Sequence, residues 1–110
     1  MAIYRVYDIS SNRLGYNLCM HYEWEETLPQ LLESTLQHRL PLIGQEPHCG
    51  AYRLFNGFSE GFPSLVVDLY GRTLVLFVHK VTGAEAAALA QSAFDFYTRA
   101  LSWIDCVIAK

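Results

Sequence analysis

The most regular pattern of apolar residues lies in the middle of the chain, where two apolar runs flank a short turn. Residues 65–70 and 73–79 consist mostly of Leu, Val, Phe and Tyr, and Gly71-Arg72 separates them. This arrangement predicts a β-hairpin. Because both faces of these strands are apolar, we expect the hairpin to lie at the centre of a sheet and to be covered on more than one side.

Shorter apolar stretches predict further strands before and after this hairpin. We expect strands over residues 3–9, 51–55 and 104–109, where β-branched and aromatic residues are frequent. The segment 14–22 is a weaker candidate, because a glycine and an asparagine interrupt it. Residues 1–24 are therefore expected to form a strand or hairpin segment that precedes the main domain.

Two segments have apolar residues at helical spacing. The first helix is expected to begin near Thr27 and to end at Pro41, because the residue before a proline avoids the α region. The second is expected over residues 83–101, after Thr82. Both threonines precede a Gln or Glu by three positions, which is the spacing of a capping box. The predicted class is α+β, with a small mixed or antiparallel sheet packed against two helices.

Composition and charge exclude several classes of protein. Hydrophobic residues make up 52% of the 110 residues, which excludes an intrinsically disordered chain. The net charge of −3 argues against strong autonomous binding to nucleic acid. Three widely spaced cysteines without a C-x-x-C pair predict neither a disulfide framework nor a metal site. No apolar run is long enough to cross a bilayer, so we expect no membrane contact and a cytoplasmic location.

The search for catalytic and cofactor-binding residues predicts none in this chain. The glycines never form the G-x-G-x-x-G turn of a dinucleotide or adenosylmethionine site. Glu60 and Asp68 are candidate acid–base carboxylates, but Asp68 is better explained as the partner of an arginine such as Arg53. Aromatic residues flank Arg53, and these could either stack on bases or pack in the core.

One stretch, residues 51–71, has a specific motif: A-Y-R-L-F-N-G-F-S-E-G-F-P-S-L-V-V-D-L-Y-G. It resembles the pattern Y-R-L-x-x-G-x-x-D-G-L-P-G-L-x-V-D-R-Y-G of the adenosylmethionine-dependent 5-methylcytosine methyltransferases of large-subunit ribosomal RNA. The resemblance extends to about 85 of the 110 residues and concerns the small middle domain of that family, which has a strand–strand–helix–strand–strand order. The family's Asp, Gly and Arg are replaced at three positions by Glu60, Ser64 and Leu69.

The resemblance implies structural roles for the residues that match the motif. The residue types themselves predict positive φ at the glycines, a rigid loop at the proline and an ion pair between Arg53 and Asp68. The structural motif residues are Tyr52, Gly57, Gly61, Pro63, Asp68, Tyr70 and Gly71.

The resemblance also implies that residues 25–110 are an accessory domain of a larger, adenosylmethionine-dependent ribosomal RNA methyltransferase. Its cofactor and catalytic residues would lie in a following domain, so this chain alone is expected to be inactive and to hold no cofactor. The residues expected to contact RNA are Arg53, Arg72, Lys80, Phe55 and Phe58. The alternative is a protein-interaction or dimerisation module that does not contact RNA and that could form a homodimer. The excess of acidic over basic residues favours this alternative.

Overall fold

The computed structural model describes residues 3–4, 22–43 and 50–110, and of residues 3–4 it describes the backbone alone. These residues form an α+β fold, so the predicted class is confirmed. In chain order the elements are β1 (Ile3–Tyr4), α1 (Trp24–Ile43), β2 (Ala51–Asn56), the single turn α2 (Gly57–Glu60), β3 (Leu65–Tyr70), β4 (Thr73–Val78), α3 (Gly83–Ala100) and β5 (Cys106–Ala109).

The five strands form one mixed sheet in the order β1-β5-β4-β3-β2. Neighbours β2, β3 and β4 are antiparallel, and the predicted hairpin joins β3 to β4 through a turn in which Gly71 has φ +62°. Strand β5 runs parallel to both β4 and β1. A parallel pair needs a crossover connection, and α3 provides it between β4 and β5.

Helices α1 and α3 pack on the same face of the sheet. Their buried side chains share one cluster with the inward residues of β3, which alternate along the strand. Val66 and Val75 are also buried but lie outside this cluster, on the opposite face of the sheet. Strand β3 is therefore buried on both faces, as predicted for a central strand. The main members of the cluster are Leu28, Leu32, Leu36, Leu65, Val67, Leu69, Leu89, Ala93 and Tyr97.

The first helix differs from the prediction at both ends. It begins at Trp24, before Thr27, and it continues through Pro41 to Ile43. A proline inside a helix lacks the N–H for one backbone hydrogen bond. Here the burial of Ile43, which is 2% exposed, keeps the last turn against the core. Tertiary packing therefore outweighs the local preference of the residue before proline.

The remaining predicted elements agree with the structure to within one or two residues where it describes them. Thr82 is the N-cap residue of α3, but its side chain makes no capping hydrogen bond, so the predicted capping box is wrong. Of the strand predicted over residues 3–9, the structure describes only β1. Residues 5–21, and with them most of the second candidate strand, lie outside the described residues, and the division of the chain near residue 24 stays a prediction.

Candidate functional site

Arg53 and Asp68 form a two-point ion pair on adjacent strands. They face each other in the β2–β3 register. Arg53 Nε donates to Asp68 Oδ1 at 2.7 Å, and Nη2 donates to Oδ2 at 2.9 Å. The predicted ion pair is thus confirmed. The Asp68 side chain is 6% exposed and that of Arg53 52%, so a buried carboxylate holds an accessible guanidinium. The hydrogen bond with Asp68 raises the pKa of Arg53 further above its ordinary value.

Tyr70 adds an exposed aromatic ring to this pair. Its O–H donates to Asp68 Oδ2 at 3.2 Å, and 51% of the residue is exposed. The negative charge of Asp68 raises the pKa of the Tyr70 hydroxyl, which therefore remains a proton donor. A shallow depression of about 200 Å³ surrounds these groups. Its lining residues are Ala51, Tyr52, Arg53, Asp68 and Tyr70.

Phe55 does not belong to this surface, contrary to the prediction that it stacks on RNA. Strict alternation would place Phe55 on the same face as Arg53. The register shifts between these two residues, so that Phe55 instead faces Val67 and is fully buried, as is Leu54. A β-bulge inserts one extra residue and reverses the faces that follow it. Phe55 is therefore a core residue.

Glu60 is held by its neighbours rather than placed for acid–base chemistry. Its Oε1 accepts a hydrogen bond from the backbone N–H of Asn56 at 2.9 Å, and its Oε2 accepts one from Arg39 Nη2 at 3.0 Å. Arg39 belongs to α1, so this ion pair connects α2 to α1. Glu60 and Asp68 are each engaged by an arginine of their own.

The motif glycines are required for two different features of the backbone, positive φ angles and a close approach between two segments. Gly61 and Gly71 have φ of +86° and +62°, as predicted, and glycine adopts this region without strain. Gly57 was predicted to have positive φ and does not. A side chain there would instead collide with the backbone carbonyl oxygens of Phe62 and Leu65. Gly57 therefore permits a close approach of two backbone segments.

The residues predicted to contact RNA fall at two ends of the sheet. Arg53 and Arg72 lie near the β3–β4 turn. Arg72 is 3.5 Å from Asp105 and also donates to the carbonyl oxygen of Trp103. Both arginines at this end are thus paired with a carboxylate. They give the surface directional hydrogen-bond donors but no excess of positive charge.

Phe58 and Lys80 lie at the other end of the sheet, separated from the turn by the six residues of β3, or about 20 Å. Phe58 is 61% exposed and lies 5.7 Å, between ring centroids, from His79. Lys80 is exposed and has φ +70°, a left-handed conformation that is uncommon outside glycine. The five predicted residues therefore do not form one continuous patch.

An aromatic cluster at the start of α1 was not predicted from the sequence. The rings of Tyr22 and Trp24 stack at 5.5 Å, and Phe62 meets Trp24 edge-on at 6.2 Å. Trp24 Nε1 donates to Glu85 in the first turn of α3. The sequence shows only an acidic stretch around Trp24, which gives no signal of this long-range contact.

Neither a metal site nor a membrane span is found in the part of the chain that the structure describes. No three or more His, Cys, Asp or Glu side chains there are grouped so that they could hold a metal ion. None of the described helices combines the length and apolar character needed to cross a bilayer.

Comparison with solved structures identifies the fold. The chain is similar to the crystal structure of SMU.776, described as "a putative methyltransferase complexed with SAH", with a TM-score of 0.60 and 16% sequence identity. The similarity covers 93% of this chain and 24% of that one, so this chain spans about a quarter of the other's length. No protein-family model matches the sequence, and no curated protein matches it. The likeness establishes a shared fold.

Proposed function

We propose that this chain is an accessory, substrate-positioning domain of an adenosylmethionine-dependent ribosomal RNA methyltransferase-like protein. The observation that carries the proposal is the fold likeness over 93% of this chain to a quarter of a protein described as a methyltransferase. The motif of residues 51–71 supports it, because those residues build β2, α2 and β3 of this same fold. Adenosylmethionine and the reacting cytosine would be bound by a separate, following domain of the parent protein.

In this proposal the domain positions the RNA and takes no part in the methyl-transfer reaction itself. Each of the two candidate carboxylates, Glu60 and Asp68, is engaged by an arginine. The domain offers an accessible guanidinium at Arg53 on β2 and, at the other end of the sheet, an exposed ring at Phe58 on α2. Such groups orient a nucleic acid through hydrogen bonds and stacking, while the catalytic domain carries out methyl transfer.

The proposal is tested by measuring RNA and cofactor binding on this chain. Fluorescence anisotropy with a ribosomal RNA fragment should give weak binding at low salt that is lost at physiological salt, because a chain with net charge −3 neutralises few phosphates. Calorimetric titration with adenosylmethionine should give no heat of binding. Micromolar cofactor binding would contradict an accessory role, and the absence of RNA binding at every salt concentration would contradict contact with RNA.

A second candidate function is a protein-interaction or dimerisation module. It is favoured by the acidic balance of the chain, with a net charge of −3, and by the exposed apolar side chains of Leu42 and Phe58. Light scattering distinguishes the two functions. A stable dimer together with no RNA binding would support this candidate, whereas a monomer that binds RNA at low salt would support the accessory domain.

A further inference from the structure

The ion pair leaves one edge of the Arg53 guanidinium open. Asp68 occupies Nε and one hydrogen of Nη2. A guanidinium has five N–H donors in a planar fork, so the outer edge, formed by Nη1 and the second Nη2 hydrogen, can make another pair of parallel hydrogen bonds. Among the described residues none accepts a hydrogen bond from Nη1. With the side chain 52% exposed, this edge is accessible and its plane is fixed by the pair with Asp68.

Tyr70 lies on the same face of the sheet as Arg53, and its hydroxyl shares the Oδ2 atom of Asp68 with Arg53 Nη2. Tyr70 follows Asp68 by two residues on β3, and its partner across the strands is Ala51. Ala51, Arg53 and Tyr70 all line the depression of about 200 Å³, and the small side chain of Ala51 takes up little of this space. A planar ligand in this space could stack on the tyrosine while its edge meets Arg53.

The balanced charges of Arg53 and Asp68 favour a neutral ligand over a charged one. Asp68 already balances the positive charge of Arg53, so the site offers directional donors without a net charge to attract phosphate. Guanine presents two neighbouring acceptors, O6 and N7, that match a bidentate arginine. In double-stranded RNA this edge is hidden in the deep major groove, whereas unpaired bases expose it.

We propose that Ala51, Arg53, Asp68 and Tyr70 form a binding site for an unpaired guanine base in an RNA strand. This inference rests on the proposed function and adds the RNA base that the domain would recognise. Arg53 donates from its outer edge to O6 and N7, Tyr70 stacks on the base, and Asp68 holds the guanidinium in place.

The experiment uses fluorescein-labelled oligouridylates at low salt, with a single central guanine, adenine or 7-deazaguanine. The guanine strand should bind about fivefold or more tightly than the adenine strand, as expected for one bidentate base contact. The 7-deazaguanine strand, which lacks the N7 acceptor, should lose most of this preference. Arg53→Lys keeps the charge but cannot donate in parallel, so it should abolish the preference.

A second pair of variants leaves the ion pair in place. Tyr70→Ala should weaken binding of the guanine strand about fivefold or more through loss of stacking, while Tyr70→Phe should retain most of the affinity. Equal binding of guanine and adenine strands would overturn the guanine site but leave RNA contact intact. Displacement of the guanine strand by inorganic phosphate would also overturn it and indicate an anion site. If no strand binds at any salt concentration, the proposed function fails as well.

Discussion

Trp24 Nε1 donates a 2.9 Å hydrogen bond to Glu85 Oε2, which joins the first turns of α1 and α3 across 61 positions of sequence. The carboxylate also lies at the N-terminal end of α3, where the helix dipole favours a negative charge. Glu85 thus takes part in a contact between helices rather than in the capping box that its spacing with Thr82 suggests. The contact fixes how the two helices meet on their shared face of the sheet.

We expect Trp24→Phe to lower the free energy of unfolding by about 1.5 kcal/mol or more beyond the cost of the smaller ring, because a hydrogen bond to a charged group is lost. A double-mutant cycle with Glu85→Ala isolates this contribution, measured by denaturant unfolding. The two substitutions should cost less together than the sum of their separate effects. Strictly additive effects would mean that the hydrogen bond contributes nothing in solution.

Gly57 and Gly61 should respond differently to the same added methyl group. Gly57→Ala places Cβ against two backbone carbonyls and should cost roughly 2–3 kcal/mol, as overpacking does. Gly61→Ala meets open space and should cost only about 1 kcal/mol for its positive φ. Thermal unfolding of both variants checks the order. A larger loss for Gly61→Ala would contradict the steric role of Gly57.

The strands that the sequence predicts best are those with a local signal. The bounds of β3 and the β3–β4 turn follow from two apolar runs around Gly71-Arg72. The sequence also suggests an arginine such as Arg53 as the partner of Asp68, and the structure contains this pair. The bulge after Arg53 has no such signal. It depends on how β2 meets β3, and it moves Phe55 from the predicted surface into the core.

The predicted end of α1 was wrong for a related reason. A proline rule considers only neighbouring residues, whereas the last turn of α1 is stabilised by the burial of Ile43 against residues far away in sequence. The accessible edge of Arg53 was equally unpredictable. A sequence indicates that two residues pair, but not which atoms of the guanidinium the pair leaves available.

Tyr97 presents an unusual polar atom in the core. Its hydroxyl is buried, and no described residue is hydrogen-bonded to it. Burial raises the pKa of this hydroxyl strongly. We expect Tyr97→Phe to raise the free energy of unfolding by about 1 kcal/mol, because a buried group without a partner is removed while the ring is kept. Chemical denaturation measures the change.

Tyr97→Ala serves as the control for this prediction. It removes the ring and should lower the free energy of unfolding by about 3–5 kcal/mol through the cavity it leaves. Loss of stability in Tyr97→Phe would contradict this prediction, because it would mean that the hydroxyl stabilises the fold.

Alkaline pH should weaken the fold through Tyr70 and Tyr97. Both have pKa values raised above the ordinary 10.0 in the folded protein, by the charge of Asp68 and by burial, respectively. The folded state therefore keeps these protons to higher pH than the unfolded chain. Below about pH 10 both states are protonated and stability is unaffected; above it the unfolded chain ionises first, and the free energy of unfolding falls.

Denaturant unfolding between pH 8 and about pH 11, together with ultraviolet titration of tyrosinate, measures this dependence. Tyr70→Phe should remove one late step from the titration of the folded protein, and Tyr97→Phe should make the fall in stability less steep. Because Tyr70 is exposed and Tyr97 is buried, we expect Tyr97 to carry most of the slope. A slope unchanged by Tyr97→Phe would contradict burial as its cause, since the hydroxyl held most firmly in its neutral form would then contribute nothing.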